Sequence, residues 1–346
     1  MHVSIHLKGH LDPSWQPWLE GLQIRHEPDG TTVLTGTLQD QPALYGVLNK
    51  INHLNLSLLF LECSDKAHKK EIFMTTRQNQ RGSYASINGL DLYYEISGSG
   101  QPLVILPGAY GTIEALGELV PQLAATRRVI AVELQGHGHT ADIDRPLRFE
   151  LLADDIAALI KDLDLGQADL FGYSLGGGVG LQTAIQHPEV VRKLVLTSTP
   201  FKTEGWYPED LAVMAAMNAE ALDVTPIHDA YLKTSPKPEA WPTVVDKIRQ
   251  LVTSDYNWEQ EVAALKTPTL IMVGDADGMS LAHAIEFFGL LGGGKGDGDM
   301  AGLPGSSLAV LPATTHVGWA PPYHGIITRI QLLLPILTEF LDSPMP

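Results

Sequence analysis

Cysteine and long apolar runs are both scarce in this 346-residue chain. Cys63 is the single cysteine, so an intrachain disulfide is excluded, and the apolar residues 58–61 before it favour a buried strand end. No apolar stretch approaches the ~20 residues that a helix needs to span a bilayer. The first ten residues lack the apolar core of a signal peptide. We therefore expect a cytoplasmic protein that does not bind membranes.

Positive charge is also in short supply. Lys and Arg number 23 against 40 Asp and Glu, which gives a formal net charge of −17. Nucleic acids and anionic membrane surfaces would be repelled by this charge, so neither is predicted as a partner. A neutral or cationic small molecule is favoured as a ligand over a polyanion.

Patterns that bind metals or phosphates are missing as well. The Gly-rich residues 292–305 lack the spacing of a phosphate-binding loop. Two groups of histidines have neither a metal-ligand spacing nor a further ligand nearby. They are His2, His6, His10 and His26 near the start, and His137 and His139 in the middle. We expect no metal and no cofactor.

The chain divides into two patterned regions and a linker. Residues 1–65 have the order β-α-β-β-α-β, which predicts a small α+β ferredoxin-like domain. Residues 66–82 are basic and polar, as in an exposed linker. From 83 to 346, short apolar runs alternate with helical segments after an Asn88-Gly89 hairpin, which predicts a doubly wound, mostly parallel α/β sheet. The long connection at about 201–266 predicts a helical cap over it.

A small sheet with open edges invites pairing with another chain. We therefore expect residues 1–65 to mediate self-association as a homo-oligomer, or docking to another protein, and to contribute nothing to the chemical step. A solubilising appendage without a partner is the alternative.

The most informative stretch is G-Y-S-L-G at residues 172–176, which fits the pattern G-x-S-x-G. An apolar run precedes it and a helical segment follows, and this strand-turn-helix context exposes the serine at a strained turn. Glycines two residues on either side allow the strand and helix to approach closely. The pattern predicts that Ser174 is a nucleophile.

Two further reactive groups follow later predicted strands. The apolar run 269–273 leads into Asp275 and Asp277, and the run 308–311 leads to His316. Serine, acid and histidine in this order, each beyond a strand's carboxyl end, predict a catalytic triad with His316 as the base. The tetrahedral intermediate would need two N–H donors, for which the backbone of Leu175 and of Ala109 are the candidates.

These motifs resemble those of the α/β-hydrolase superfamily over about residues 83–346. The matching segments are GYSLGG around the serine, GDAD at the acid, TTHVGW at the histidine and the turn QGHG at 135–138. Within the superfamily, the chain resembles the cofactor-free serine esterase and perhydrolase-like group with a helical cap. The resemblance implies that Asp277 is the triad acid and Asp275 a structural turn residue. One departure is Pro107-Gly108, where relatives often carry His-Gly. The serine separates the chain from haloalkane dehalogenases and epoxide hydrolases, which use Asp.

Triad and resemblance together predict a carboxylesterase-like enzyme that hydrolyses small-molecule esters through an acyl-enzyme. A C–C bond hydrolase, a lactonase or a perhydrolase with the same triad is the enzymatic alternative. A catalytically silent binding protein on the same fold is the non-enzymatic alternative. Aromatic residues near the predicted site are candidates for the pocket wall: Tyr110, Tyr173, Trp206, Tyr207 and Trp319. The cap sets the sizes of the acyl and alcohol groups, which the sequence leaves open.

Overall fold

A computed structural model describes residues 2–27, 30–39, 43–44, 46–47, 50–51, 58–64, 82–318 and 322–345. The chain forms two compact units, Met1–Asn79 and Gln80–Pro346. All of the predicted linker except residue 82 lies outside the described residues, so its boundaries stay a prediction. Within the described ranges, no helix combines the length and the hydropathy required to cross a membrane.

The first unit contains a four-stranded antiparallel sheet in the spatial order β2-β3-β1-β4. Its strands are β1 (His2–Lys8), β2 (Gln23–His26), β3 (Thr31–Thr37) and β4 (Leu58–Ser64). A 3₁₀ helix spans Pro13–Leu19, and residues 43, 44, 46, 47, 50 and 51 are helical. Order and connectivity are those of the predicted ferredoxin-like arrangement.

The core of this unit follows from two periodicities. Alternate β1 residues Val3, Ile5 and Leu7 are buried, as expected for a strand with one covered face. Leu44, Val47 and Ile51, spaced three and four residues apart, pack into the same cluster.

The second unit is built on one eight-stranded sheet in the order β12-β11-β10-β9-β7-β8-β6-β5. Its strands are β5 (Ser83–Ile87), β6 (Leu90–Ser97), β7 (Pro102–Leu106), β8 (Arg128–Val132), β9 (Ala168–Tyr173), β10 (Val191–Thr197), β11 (Thr269–Ala276) and β12 (Ser307–Thr315). The β5–β6 and β6–β8 pairs are antiparallel and the other pairs are parallel. The predicted fold class is therefore confirmed. Asn88 and Gly89 turn between β5 and β6 with φ of 48° and 84°, as a type I′ turn requires.

Helices cover both faces of this sheet. The α-helices are α1 (Leu119–Ala124), α2 (Phe149–Asp162), α3 (Leu175–Gln186), α4 (Pro208–Ala216), α5 (Ala219–Leu222), α6 (Pro226–Thr234), α7 (Trp241–Val252), α8 (Glu259–Ala264), α9 (Leu281–Leu290), α10 (Gly298–Ala301) and α11 (Ile330–Asp342). Short 3₁₀ helices lie at Glu114–Leu116, Pro188–Val190, Thr203–Gly205, Pro238–Ala240 and Ile326–Thr328. Neighbouring β7 residues Leu103 and Val104 belong to different core clusters, which is the pattern of a strand buried on both sides.

The stretch between β10 and β11 holds α4 to α8, at the position where the sequence predicts a cap. In α7, Val244, Val245, Ile248 and Leu251 are buried and belong to the large core cluster that also contains α2 and α3 residues. The apolar face of α7 thus packs the cap against the core that α2 and α3 form with the sheet.

Candidate active site

Ser174 lies at a sharp turn between β9 and α3, with φ of 53° and ψ of −118°. A positive φ is strained for a residue with a side chain and persists only where its surroundings impose it. The flanking glycines supply that constraint. A Cβ on Gly172 would lie 2.4 Å from the Gly176 carbonyl oxygen, and one on Gly176 would lie 2.3 Å from the Leu106 carbonyl oxygen. Strand and helix therefore approach at a distance that only glycine permits, and the serine is held at the turn.

The structure brings Ser174, His316 and Asp277 into one hydrogen-bonded chain. His316 Nε2 lies 3.0 Å from Ser174 Oγ, and His316 Nδ1 lies 2.9 Å from Asp277 Oδ1. With Nδ1–H donating to the carboxylate, Nε2 is left as an acceptor for the serine hydroxyl. The three residues follow β9, β12 and β11, at the carboxyl edge of the sheet.

Asp277 is only 6% exposed and has both its carboxylate oxygens engaged. Besides His316, Oδ1 accepts from the Met279 N–H at 3.1 Å, and Oδ2 accepts from Ser198 Oγ. Burial works to raise the pKa of this carboxyl. The hydrogen bonds from His316, Ser198 and the Met279 N–H, together with the charge of His316, outweigh burial and lower the pKa. Asp277 is therefore ionised at neutral pH.

Asp275 occupies a different environment. It is exposed, and its Oδ1 accepts from the Thr314 N–H at 3.1 Å. Backbone hydrogen bonds from Ala313 and Thr314 lower the pKa of this carboxyl. Asp275 thus connects the end of β11 to β12, the strand that precedes His316.

The two predicted oxyanion donors lie at the same cavity as the serine. Leu175 begins α3, and Ala109 belongs to the loop after β7, where the Gly111 N–H donates to the Gly108 carbonyl oxygen at 2.9 Å. Within the described residues, the N–H groups of Leu175 and Ala109 donate to no other protein atom. Both are therefore available to a ligand oxygen.

A cavity of about 340 Å³ adjoins Ser174 and His316. Of the predicted wall residues, Tyr110, Tyr173 and Trp206 line it. Tyr207 is not among the residues that line it, and this residue is 45% exposed while Trp206 is 8% exposed. Both residues have extended backbone, in which successive side chains point to opposite sides. Trp319 lies outside the described residues.

Aromatic rings also hold the imidazole. The Trp206 ring meets His316 edge-on, with centroids 5.3 Å apart at 78°, and Tyr173 lies at the same centroid distance. The Tyr173 hydroxyl donates to the His316 carbonyl oxygen at 2.9 Å. These contacts restrict the orientation of His316 relative to Ser174.

Several site residues escaped the sequence-based predictions. Ser198 follows β10 at the same sheet edge as the triad, and that position is the signal that could have found it. The cap supplies further wall residues from α4 to α6 and the segments beside them: Met214, Met217, Leu222 and Ile227. Their sequence carries no motif that marks them.

Glu133 and His139, on either side of the QGHG turn at 135–138, have a structural role. Buried Glu133 accepts from the backbone N–H groups of Ile113 and His139, and its Oε2 lies 2.9 Å from His139 Nδ1. Burial raises the pKa of Glu133, against the effect of these hydrogen bonds. Glu133 thus links the turn after β8 to Ile113, which follows the loop after β7 that carries Ala109.

Two family descriptions match the sequence. Residues 2–62 match a domain of unknown function (DUF8691), and residues 101–230 match the family described as alpha/beta hydrolase fold.

Individual proteins similar to this chain include two curated enzymes and one solved structure. The 2-hydroxymuconate semialdehyde hydrolase of Pseudomonas sp. (strain CF600) is 38% identical over 104 residues, which are 29% of this chain and 37% of that protein. A pimeloyl-[acyl-carrier protein] methyl ester esterase of Neisseria meningitidis serogroup B is 44% identical over 100 residues, or 28% of this chain and 37% of that protein. The chain thus matches 37% of the length of each of these relatives. The enol-lactonase from Burkholderia xenovorans LB400 has a TM-score of 0.55 at 21% identity, covering 75% of this chain and 100% of that one, and this likeness shows the fold.

Proposed function

This chain belongs to the α/β-hydrolase superfamily, and we propose that it is a serine esterase that hydrolyses carboxylic esters of small molecules. The observation that supports this most strongly is the hydrogen-bonded chain Ser174–His316–Asp277 beside a cavity of about 340 Å³. A serine hydroxyl is a weak nucleophile until an adjacent base accepts its proton, and His316 Nε2 is 3.0 Å away.

In the proposed acylation step, Ser174 Oγ attacks the carbonyl carbon of the ester while His316 Nε2 takes the hydroxyl proton. The carbonyl π electrons move onto oxygen, and the N–H groups of Leu175 and Ala109 bind this oxyanion. The Asp277 carboxylate stabilises the imidazolium through Nδ1–H. The imidazolium then gives its proton to the leaving alcohol as the C–O bond breaks, which leaves an acyl-serine.

Deacylation repeats these steps with water. His316 takes a proton from the water as its oxygen attacks the acyl carbon, and the same two N–H groups bind the second oxyanion. Collapse of this intermediate returns the proton to Ser174 Oγ and releases the carboxylic acid. No step in this scheme calls for a cofactor or a metal.

A second candidate reaction is cleavage of a C–C bond with the same residues. The similarity to a 2-hydroxymuconate semialdehyde hydrolase supports it. Lactone hydrolysis and perhydrolysis would also start from Ser174. A catalytically silent binding protein is the remaining alternative. The enzymatic alternatives predict turnover of different substrates, and the binding protein predicts none.

The test is hydrolysis of p-nitrophenyl acetate, followed as release of p-nitrophenolate. We expect turnover by the wild type and a loss of about 10⁶-fold in kcat for Ser174→Ala. Ser86→Ala, which removes an exposed hydroxyl on β5, is the matched control and should retain full activity. Absence of turnover on any ester, with activity on a C–C substrate or a lactone, would replace the esterase assignment by that reaction. A Ser174→Ala variant as active as the wild type would exclude Ser174 as the nucleophile.

We also propose that the N-terminal unit mediates self-association. Its support is a pair of exposed tryptophans, Trp15 and Trp18, which pack edge to face with centroids 5.2 Å apart. Exposed aromatic residues are enriched at protein–protein interfaces. Sedimentation of the wild type should show an assembly that Trp15→Ser with Trp18→Ser reduces, and a wild-type monomer would contradict the proposal.

A further inference from the structure

The described side chains that line the cavity beside Ser174 are mostly apolar. None of the described residues that line it is Asp, Glu, Lys or Arg. Its walls are formed by small residues of the oxyanion loop, apolar core side chains and cap residues that include Met214 and Met217. The volume of about 340 Å³ falls within the range of small-molecule sites, ~300–1,000 Å³. A ligand that enters this cavity is desolvated without meeting a charged partner.

Most hydroxyl groups of the wall are already engaged. They donate to backbone oxygens in four pairs: Tyr173 to His316 at 2.9 Å, Thr199 to Ser174 at 3.0 Å, Thr328 to Gly325 at 2.8 Å and Tyr256 to Pro200 at 3.5 Å. The Tyr110 hydroxyl is buried and has no partner among the described residues. Burial raises the pKa of Tyr110 to about 12, so this residue also stays neutral.

The acyl part of an ester must fit this wall, because it stays bonded to Ser174 until deacylation. Beyond the triad and the oxyanion donors, the wall offers it apolar contacts. An alkyl or aryl group gains free energy from burial there. A carboxylate at the end of the acyl chain would lose its hydration without a Lys or Arg among the described wall residues to pair with it. The net charge of −17 opposes the approach of an anion as well.

We propose that the substrates are esters of uncharged, apolar carboxylic acids and that acyl groups bearing a second carboxylate are excluded. The inference rests on the proposed esterase function and narrows it. The compound named for the Pseudomonas relative, 2-hydroxymuconate semialdehyde, is a carboxylate. Under this proposal, the substrate of this chain differs from that compound in charge.

The test compares two esters with equal chain length on the full-length wild type. p-Nitrophenyl butyrate ends its acyl chain in a methyl group, and mono-p-nitrophenyl succinate ends it in a carboxylate. We expect kcat/KM to be at least about 100-fold higher for the butyrate, because an unpaired buried carboxylate is strongly disfavoured. Repeating both assays at about 50 mM and 500 mM NaCl separates the two causes, since salt screens long-range repulsion but not desolvation inside the cavity. Most of the preference should survive in high salt.

A cation added to the wall should change this preference. Met217 is partly exposed at the end of α4, where a longer polar side chain can be accommodated. Met217→Lys should lower the butyrate-to-succinate ratio at least about tenfold, because the ammonium pairs with the carboxylate. Met217→Gln is the matched control without charge, and its ratio should stay near that of the wild type. Circular dichroism of both variants checks that they fold.

Labelling with a fluorophosphonate separates the possible failures. If Ser174 is labelled and the succinate ester is turned over within about threefold of the butyrate, the esterase function stands and the substrate class is wrong. A preference that disappears in about 500 mM NaCl also overturns the cavity argument. If neither ester is turned over and Ser174 is not labelled, both proposals fail.

Discussion

The two ends of the eight-stranded sheet carry polar side chains of different kinds. At the carboxyl ends of β9, β11 and β12, one buried carboxylate pairs with one imidazole, beside a cavity whose described lining includes no Asp, Glu, Lys or Arg. At the amino ends of β8, β9 and β10, several charged side chains are buried together. Here Asp169, fully buried, accepts from Arg192 Nε at 2.8 Å and Nη2 at 2.6 Å and lies 3.5 Å from Arg127.

The amino end also secures the last helix. Lys193 is 1% exposed, and its Nζ donates to the carbonyl oxygens of Phe340 at 2.7 Å and Ser343 at 2.6 Å, at the end of α11. Arg127 forms an ion pair with Asp342 in the last turn of the same helix. Lys193 thus satisfies carbonyls that a helix leaves unpaired at its C-terminus.

The two ends of the sheet differ in which hydrogen-bonding groups lack a protein partner. At the amino end, the charges pair with one another and with backbone oxygens, which favours a stability role. At the carboxyl end, two backbone N–H groups are left for a reactant, and His316 Nε2 pairs with the Ser174 hydroxyl that is proposed to react. Substitutions at the two ends should therefore affect different measured quantities, the rate at one end and the free energy of unfolding at the other.

Among the substitutions that compare the two ends of the sheet, the largest effect is expected for Asp277→Asn. An amide in place of the carboxylate favours the wrong imidazole tautomer, at a cost of ~10⁴ in kcat in the best-studied triad. Steady-state kinetics on p-nitrophenyl butyrate measures this loss. Asp275→Asn is the control and should lose less than about tenfold, because Asp275 contacts the backbone of β12 rather than His316. The reverse ranking would move the acid to Asp275.

Lys193→Met should leave the rate unchanged and lower the stability. Methionine fills the same space but leaves the carbonyl oxygens at the end of α11 without their buried donor, which costs about 3 kcal/mol. Urea unfolding measures the change. A kcat reduced in proportion to the stability would show that the two ends of the sheet are not independent.

A smaller effect on rate is expected for Tyr173→Phe. The ring stays, but the hydroxyl no longer holds the His316 carbonyl oxygen at 2.9 Å. The lost hydrogen bond should reduce kcat by about tenfold with little change in KM. Tyr256→Phe is the matched control from the same cavity, since its hydroxyl lies 3.5 Å from the Pro200 carbonyl oxygen. Equal losses in both variants would argue against positioning of His316 by Tyr173.

The smallest effect is expected for the dependence of the free energy of unfolding on pH. The pKa of Asp277 is lower in the folded protein than in the unfolded chain, so its contribution to stability is present above the unfolded value of about 3.9. It is lost as the pH falls through the folded pKa. The stability of the wild type relative to Asp277→Asn should therefore decrease between neutral and acidic pH, as measured by urea unfolding. An increase on acidification would contradict the lowered pKa.

The sequence predicted the triad because each member follows an apolar run that marks a strand end. That rule placed Ser174, the pair Asp275 and Asp277, and His316 at one sheet edge, and the family resemblance was needed to choose Asp277 as the acid. Lys193 could not be understood in the same way, since its partners at residues 340 and 343 are far along the chain. Cap residues such as Met217 contact the cavity only through tertiary packing, which no local pattern encodes.

The central claim is that Ser174 is the nucleophile of the second unit. Mass spectrometry of the protein treated with a fluorophosphonate tests it most directly. We predict one adduct per chain, on the peptide containing Ser174, and none when the wild type is first unfolded in urea or when Ser174 is replaced by alanine. An adduct on another residue, or an equal adduct on the Ser174→Ala variant, would contradict the account.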